Sequence, residues 1–171
     1  MRKPRQLRCY FDLPMGVNMP TPEITTLTAA DLDGLRGLIG EFVAAHPSLP
    51  FRQTYWDTLR PWLATKINDE NTVQLVTRHD GELTGYALGL VQDTGPLIAP
   101  GTIGYVSLFV VSQSFRKAGI GSALWKALQA SFLAKGITEV ELFTAAANPT
   151  SNRFWEQHGF MPLMIKRRLT S

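Results

Sequence analysis

Seven consecutive residues, Arg116-Lys117-Ala118-Gly119-Ile120-Gly121-Ser122, join two cations to two glycines one residue apart, directly ahead of a long amphipathic run. That combination suits an anion. A helix start leaves backbone N–H groups unpaired, and the aligned peptide dipoles place partial positive charge there. A phosphate or pyrophosphate is a favoured guest at such an end. Glycines at 119 and 121 remove Cβ atoms that would hold a diphosphate off the backbone, and Arg116 and Lys117 add mobile positive charge at the rim. Two glycines near a helix start also make an ordinary turn, and the spacing alone leaves both readings open. The segment is not a Walker loop, because no Gly-Lys-Ser/Thr follows. It is not a dinucleotide fingerprint either, because the third glycine is missing.

The elements that must position this turn are legible around it. Ile103–Val111 is a β-branched and aromatic run suited to a buried central strand. Gly119–Lys135 is the clearest helix, with Ile120, Leu124, Leu128 and Phe132 in one stripe and Gly136 as its stop. Val140–Thr144 reads as a further strand. Asn148–His158 reads as a short helix, with Asn148 as N-cap, Pro149 at the first helical position and Gly159 as the stop. Upstream, Glu23–Leu27 is a first strand, and Thr28 with Asp31 forms an imperfect capping box for a helix reaching about Ala45. His46–Pro50 breaks that helix. Trp56, Leu59, Leu63 and Ile67 then predict a second one, with Pro61 in its first turns. Val73–Arg78, a His79-Asp80-Gly81 turn and Leu83–Val91 read as a hairpin, and Met164–Leu169 as a last strand. The order β-α-α-β-β-β-α-β-α-β predicts a single α/β domain with a mixed sheet.

Composition narrows the function classes. The chain has 171 residues, 44% hydrophobic and 18% charged, enough apolar material for a core and too much for disorder. No apolar run approaches the ~20 residues of a membrane span, and charges and prolines interrupt the N-terminus where a secretory signal would need a continuous apolar stretch. Cys9 is the only cysteine and the three histidines lie far apart, so no internal disulfide and no metal-ligand spacing is expected. A reducing cytoplasm is the expected compartment. The net charge is +3, but Arg2, Lys3, Arg5 and Arg8 against Asp12 account for it. Removing that leader from 17 basic and 14 acidic residues leaves 13 of each. Residues 1–18 therefore read as a basic flexible extension and 19–171 as the domain. A nucleic-acid partner would have to use that short leader alone.

The stretch Val111–Leu124, with its Arg116-x-x-Gly119-x-Gly121 core, resembles motif A of the GCN5-related N-acetyltransferase superfamily, whose form is Arg/Gln-x-x-Gly-x-Gly/Ala after a central strand. A second block agrees. Asn148 followed by Phe154-Trp155-Glu156-Gln157-His158-Gly159-Phe160 is similar to that family's Asn-x-x-Ala-x-x-Leu-Tyr-Glu-Lys-x-Gly-Phe, with Ser151 where the small alanine is usual. The resemblance is strong over residues 103–162 and loose before them.

The resemblance implies a mostly antiparallel sheet that splays beside the central strand to take acetyl-CoA or another acyl-CoA, and no metal. It implies that the backbone of Phe109, Val110 and Val111 pairs with the pantetheine arm. The amides of Lys117, Ala118, Gly119, Ile120, Gly121 and Ser122 would take the pyrophosphate, with Arg116 at the rim. Asn148 and Ser151 would approach the arm, Asn148 serving equally as a helix cap. The implied reaction is direct attack of an amine on the thioester, with a backbone N–H near Val110 polarising the carbonyl.

Two departures matter. Trp155 replaces the tyrosine that serves as general acid in many relatives; an indole N–H is far too weak an acid, which makes Trp155 core or a wall beside the cofactor. The position of the central-strand carboxylate base is Tyr105, and no acidic residue occurs between Thr102 and Val111. Tyr105, Ser107 and Phe109 share one face by the period of two. Tyr105 and Ser107 are the catalytic candidates, holding a water or moving a proton. Glu139 and Glu141 are expected on a solvated face. The acceptor side would be His46–Trp56, with His46, Phe51 and Tyr55 as candidate contacts for an apolar or aromatic amine and Arg52 and Arg60 for a carboxylate. The family also includes homodimers. A catalytically reduced acyl-CoA sensor or interaction module is the alternative function that Trp155 favours.

Overall fold

The computed structural model describes residues 22–47 and 49–169; the expected leader, residues 1–18, lies outside them. The chain forms β1 (Glu23–Thr26), a 3-10 turn (Ala29–Gly34), α1 (Leu35–Ala44) and α2 (Tyr55–Thr65). A hairpin of β2 (Thr72–His79) and β3 (Glu82–Asp93) follows, then β4 (Thr102–Val111) and a short 3-10 turn (Gln113–Phe115). The chain continues through α3 (Ile120–Ala134), β5 (Val140–Leu142) and α4 (Pro149–Gln157). The strands lie in the order β1-β2-β3-β4-β5. Neighbours are antiparallel except β4 and β5, which are parallel. This is the mixed, mostly antiparallel sheet the sequence predicts.

Local chemistry sets the joints. Asp80 and Gly81 both adopt left-handed backbone (φ 50° and 82°), the pair that matches hairpin turn to strand twist. The Thr28 N–H and hydroxyl both donate to Asp31 Oδ2, at 2.9 and 2.8 Å, closing the turn into the first helical segment. Each face of the sheet is covered. Leu35, Leu38 and Ile39 of α1 and Leu63 of α2 pack with Val76, Tyr86, Leu88 and Val110 on one face. Leu124, Trp125, Leu128 and Phe132 of α3 pack with Ala87, Val106 and Trp155 on the other. There Phe132 lies on bare backbone: a Cβ on Gly89 would come within 2.5 Å of its ring, and one on Gly104 within 3.0 Å.

Four expectations change. Pro61 is the seventh residue of α2, inside the helix rather than in its first turns; it leaves the Asp57 carbonyl without the usual N–H partner. Tyr55 opens α2, one residue before the Trp56 at which the predicted helical spacing begins. Met164–Leu169 forms no strand: among the described residues it has no ladder partner and no sheet face beneath it, and Met164, Ile165 and Leu169 are 75%, 79% and 93% exposed. The fourth concerns β4. Leu88 pairs with Leu108 but Gly89 with Val106, so Ser107 is an extra, bulged residue. Tyr105 therefore sits opposite Leu90, on the α1–α2 face, while Phe109 sits opposite Ala87, on the α3 face. The expected shared face of Tyr105, Ser107 and Phe109 is broken by that one insertion.

Candidate active site

The bulge coincides with a parting of strands. β5 pairs with β4 only at Gly104, Tyr105 and Val106. From Leu108 to Val111, β4 has a ladder on the β3 side alone among the described residues. The open edge leads straight to the start of α3.

Lys117 and Gly119 both take left-handed backbone there (φ 66° and 81°), which curls the chain before the helix. The first helical bond in this stretch is donated by Ala123 to the Gly119 carbonyl. Among the described residues, the N–H groups of Lys117, Ala118, Gly119, Ile120, Gly121 and Ser122 donate to no protein acceptor. These are six adjacent donors at the positive end of a 15-residue helix. The Ser122 hydroxyl and His158 Nε2 lie 3.1 Å apart beside them. Burial, reinforced by the Lys126 charge, lowers the His158 pKa, so the ring favours its neutral form.

Two expected roles change in detail. Arg116 is not a mobile rim cation: its Nε donates to the Val111 carbonyl (3.0 Å) and its Nη2 lies 3.7 Å from Glu41 Oε2. The missing Cβ of Gly121 faces the Phe154 ring and Val111 rather than open space. Of these two glycines, Gly119 is the one with nothing within reach of an added Cβ, and its left-handed φ is what calls for glycine.

The second block packs against this start. Asn148 Oδ1 accepts from the Ser151 N–H at 3.1 Å, the predicted cap. Trp155 is 6% exposed, within an aromatic cluster of Phe109 (4.9 Å), Phe154 (4.9 Å), Phe160 (5.1 Å) and Trp125 (5.5 Å between centroids). Phe109 thus backs onto that cluster directly below the open edge of β4, and Val110 is buried on the opposite face.

On that opposite face Tyr105 is the register partner of Glu141, and its ring meets Phe143 at 6.0 Å. Burial, then the Glu141 charge, raises the Tyr105 pKa. The phenol is held protonated, able to give a proton and unsuited to taking one. Ser107 is half-buried at the bulge.

Two of the expected acceptor residues, His46 and Phe51, meet Phe42 near the end of α1, and Tyr55 approaches the same helix at Gly40. His46 Nδ1 lies 2.7 Å from the Phe42 carbonyl; a carbonyl only accepts, so Nδ1 carries the hydrogen. The Phe42 and His46 rings lie 4.4 Å apart, tilted by 37°, and Phe42 meets Phe51 edge-on at 6.3 Å. Tyr55 Oη would stand 3.7 Å from a Cβ on Gly40 of α1. Arg60 is engaged by Asp33 through two bonds of 2.6 and 3.1 Å, and Arg52 is exposed. Two open depressions lie elsewhere, one around Glu70 and Lys135 and one around Lys66 and Asp69; neither is lined by any residue from Tyr105 to Ser122.

Glu41 is the residue that sequence reasoning passes over. It stands on α1 yet accepts from the Ser112 hydroxyl (2.9 Å) and the Gln113 N–H (2.7 Å). Nothing in a contact spanning 71 residues shows as a local motif.

Residues 36–160 match the family model of the acetyltransferase (GNAT) family, and the chain belongs to that family. No curated protein matches the sequence. Among solved structures, a mutant of the BH1408 protein from Bacillus halodurans is similar at a TM-score of 0.77 and 19% identity, over 87% of this chain and 99% of that one. A predicted acetyltransferase with acetyl-CoA from Clostridium acetobutylicum gives 0.73 and 14%, over 88% and 96%. The aminoglycoside antibiotic 6'-N-acetyltransferase AAC(6')-IG from Acinetobacter haemolyticus gives 0.71 and 13%, over 87% and 97%. At these identities the likeness is one of fold. Among the described residues no group of three or more His, Cys, Asp or Glu is placed to hold a metal ion, and no helix is long and apolar enough to cross a membrane.

Proposed function

We propose that the chain is an acyl-CoA-dependent N-acyltransferase that moves an acetyl group to a primary amine of a small molecule or peptide. One observation carries this reading: six unbonded N–H groups at the start of α3 adjoin a strand edge that has lost its neighbour. A diphosphate suits the first feature, and an extended chain bearing amides suits the second. Acetyl-CoA offers both, and when bound supplies the activated thioester.

Each protein group then has a task. The amides of residues 117–122 grip the diphosphate, with Lys117 adding charge. The edge of Phe109–Val111 orients the arm, and an N–H near Val110 polarises the thioester carbonyl. Phe109 and the Trp155 cluster exclude water from one side. Tyr105, held neutral by burial and by Glu141, donates a proton to the departing thiolate. Glu141, its partner on the same face, accepts the proton of the attacking amine. The aromatic wall of His46, Phe51 and Tyr55 favours an amine with an apolar or aromatic body.

Calorimetric titration with coenzyme A, followed by thiol release from acetyl-CoA across a panel of amines, tests the proposal. Micromolar binding with amine-dependent release is expected. Binding without turnover on any amine would favour the sensor reading; no binding would remove the proposal altogether.

A further inference from the structure

We propose that Glu41 is the positioning residue that pre-forms the diphosphate turn, and that cofactor affinity depends on it; this rests on the acyltransferase reading above. The segment joining β4 to α3 must hold six N–H groups in one fixed array. Ser112 is tied on one side by its N–H to the Thr84 carbonyl (2.8 Å). On the other side the tie comes from a different element. Glu41 Oε1 accepts from Ser112 Oγ and Oε2 from the Gln113 N–H, while Arg116 Nη2 lies 3.7 Å from Oε2. Three points within five residues are thus held by one carboxylate, and the unbonded amides begin at the next residue, Lys117.

Charge makes the role indirect. A carboxylate repels a diphosphate, so Glu41 cannot be there to bind one. It also draws Arg116 toward α1 and so removes a free cation from the rim. What it contributes is order: an array fixed before binding loses less conformational freedom when the ligand arrives. The same helix carries Phe42 and ends at Ala44, two residues before His46, so the clamp joins the acceptor wall to the cofactor turn.

The test compares wild type with Glu41→Ala, Glu41→Gln and Ser112→Ala. Glutamine can keep both bonds, accepting from the Gln113 N–H and donating to the Ser112 hydroxyl, which can serve as acceptor. Titration with coenzyme A should show Kd raised ~10-fold in Glu41→Ala, equal to ~1.4 kcal/mol, and within ~2-fold of wild type in Glu41→Gln, under a third of that energy. The KM for acetyl-CoA should follow Kd while kcat at saturation holds. Ser112→Ala, which keeps the other two contacts, should give a smaller rise in the same direction and serves if Glu41→Ala does not fold. Unchanged Kd in Glu41→Ala, or in Ser112→Ala where Glu41→Ala is insoluble, would overturn the inference. So would a lowered melting temperature with Kd intact. A wild type that does not bind coenzyme A sinks the acyltransferase reading instead, which separates the two failures.

Discussion

The ring of Phe154 occupies the space that a side chain at Gly121 would need: a Cβ there would stand 3.2 Å from the ring and 3.7 Å from Val111 Cγ2. The ring has little room to give, fenced by Trp155 at 4.9 Å, His158 at 4.7 Å and Phe109 at 5.6 Å. Glycine at 121 therefore seats α4 against the start of α3. Gly121→Val should cost ~1–3 kcal/mol of stability by overpacking. In the Gly121→Val/Phe154→Ala double variant the two losses should fall short of their sum by at least ~0.5 kcal/mol. Denaturant melts of the four proteins decide it, and strict additivity would show that this contact does not exclude the side chain.

The pairing of Tyr105 with Glu141 predicts a pH signature. If the neutral phenol is the active form, kcat falls as pH rises through its pKa, which burial and the Glu141 charge have moved up. Glu141→Gln removes both the charge and the proposed proton acceptor, so kcat should fall and the alkaline limb of the residual profile should shift to lower pH. Tyr105→Phe should lower kcat ~100-fold, within the range of a lost general acid, and abolish that limb while leaving the KM for acetyl-CoA in place. An alkaline limb unchanged in both variants would assign the proton donor elsewhere.

Asp31 links the first turn to the sheet. Its carboxylate is 2.6 Å from Arg78 Nη2 and accepts from both donors of Thr28. Burial pulls its pKa up, but the bonds from Arg78 and Thr28 outweigh that and leave it below the ordinary 3.8. The unfolded chain thus takes up the proton at higher pH than the folded one. The stabilisation is complete above 3.8 and fades as pH falls through the lower folded value. Asp31→Asn should cost ~1–2 kcal/mol at neutral pH, the scale of a lost cap, and less in acid. Urea midpoints at neutral and acid pH measure the narrowing gap.

What could be read from sequence was what is local. The four-residue stripe Ile120, Leu124, Leu128, Phe132 is buried throughout. The cap at Asn148, the hairpin turn at Asp80-Gly81 and the glycine-spaced start of α3 each declare themselves within a few residues. What stayed hidden depends on a distant partner. Ser107 is one residue in a uniform β run, and it becomes an insertion only when β3 is laid beside it. Period-two reasoning therefore put Phe109 on the wrong side. Glu41 needs α1 folded against the end of β4 before its carboxylate meets Ser112. Met164–Leu169 has the apolar content of a strand, but a strand needs a neighbour and these residues have none among those described.

The contact of Phe132 with Gly89 and Gly104 has mechanical leverage. Phe132 lies twelve residues beyond Ile120, roughly 18 Å along the axis at ~1.5 Å per residue. Two strands stripped to their main chain at that far end set how deeply a rigid rod can settle, and the rod's near end holds the donors that greet the ligand. A methyl group added at Gly89 touches nothing that a ligand touches, yet it would pivot the helix and splay those donors from a distance.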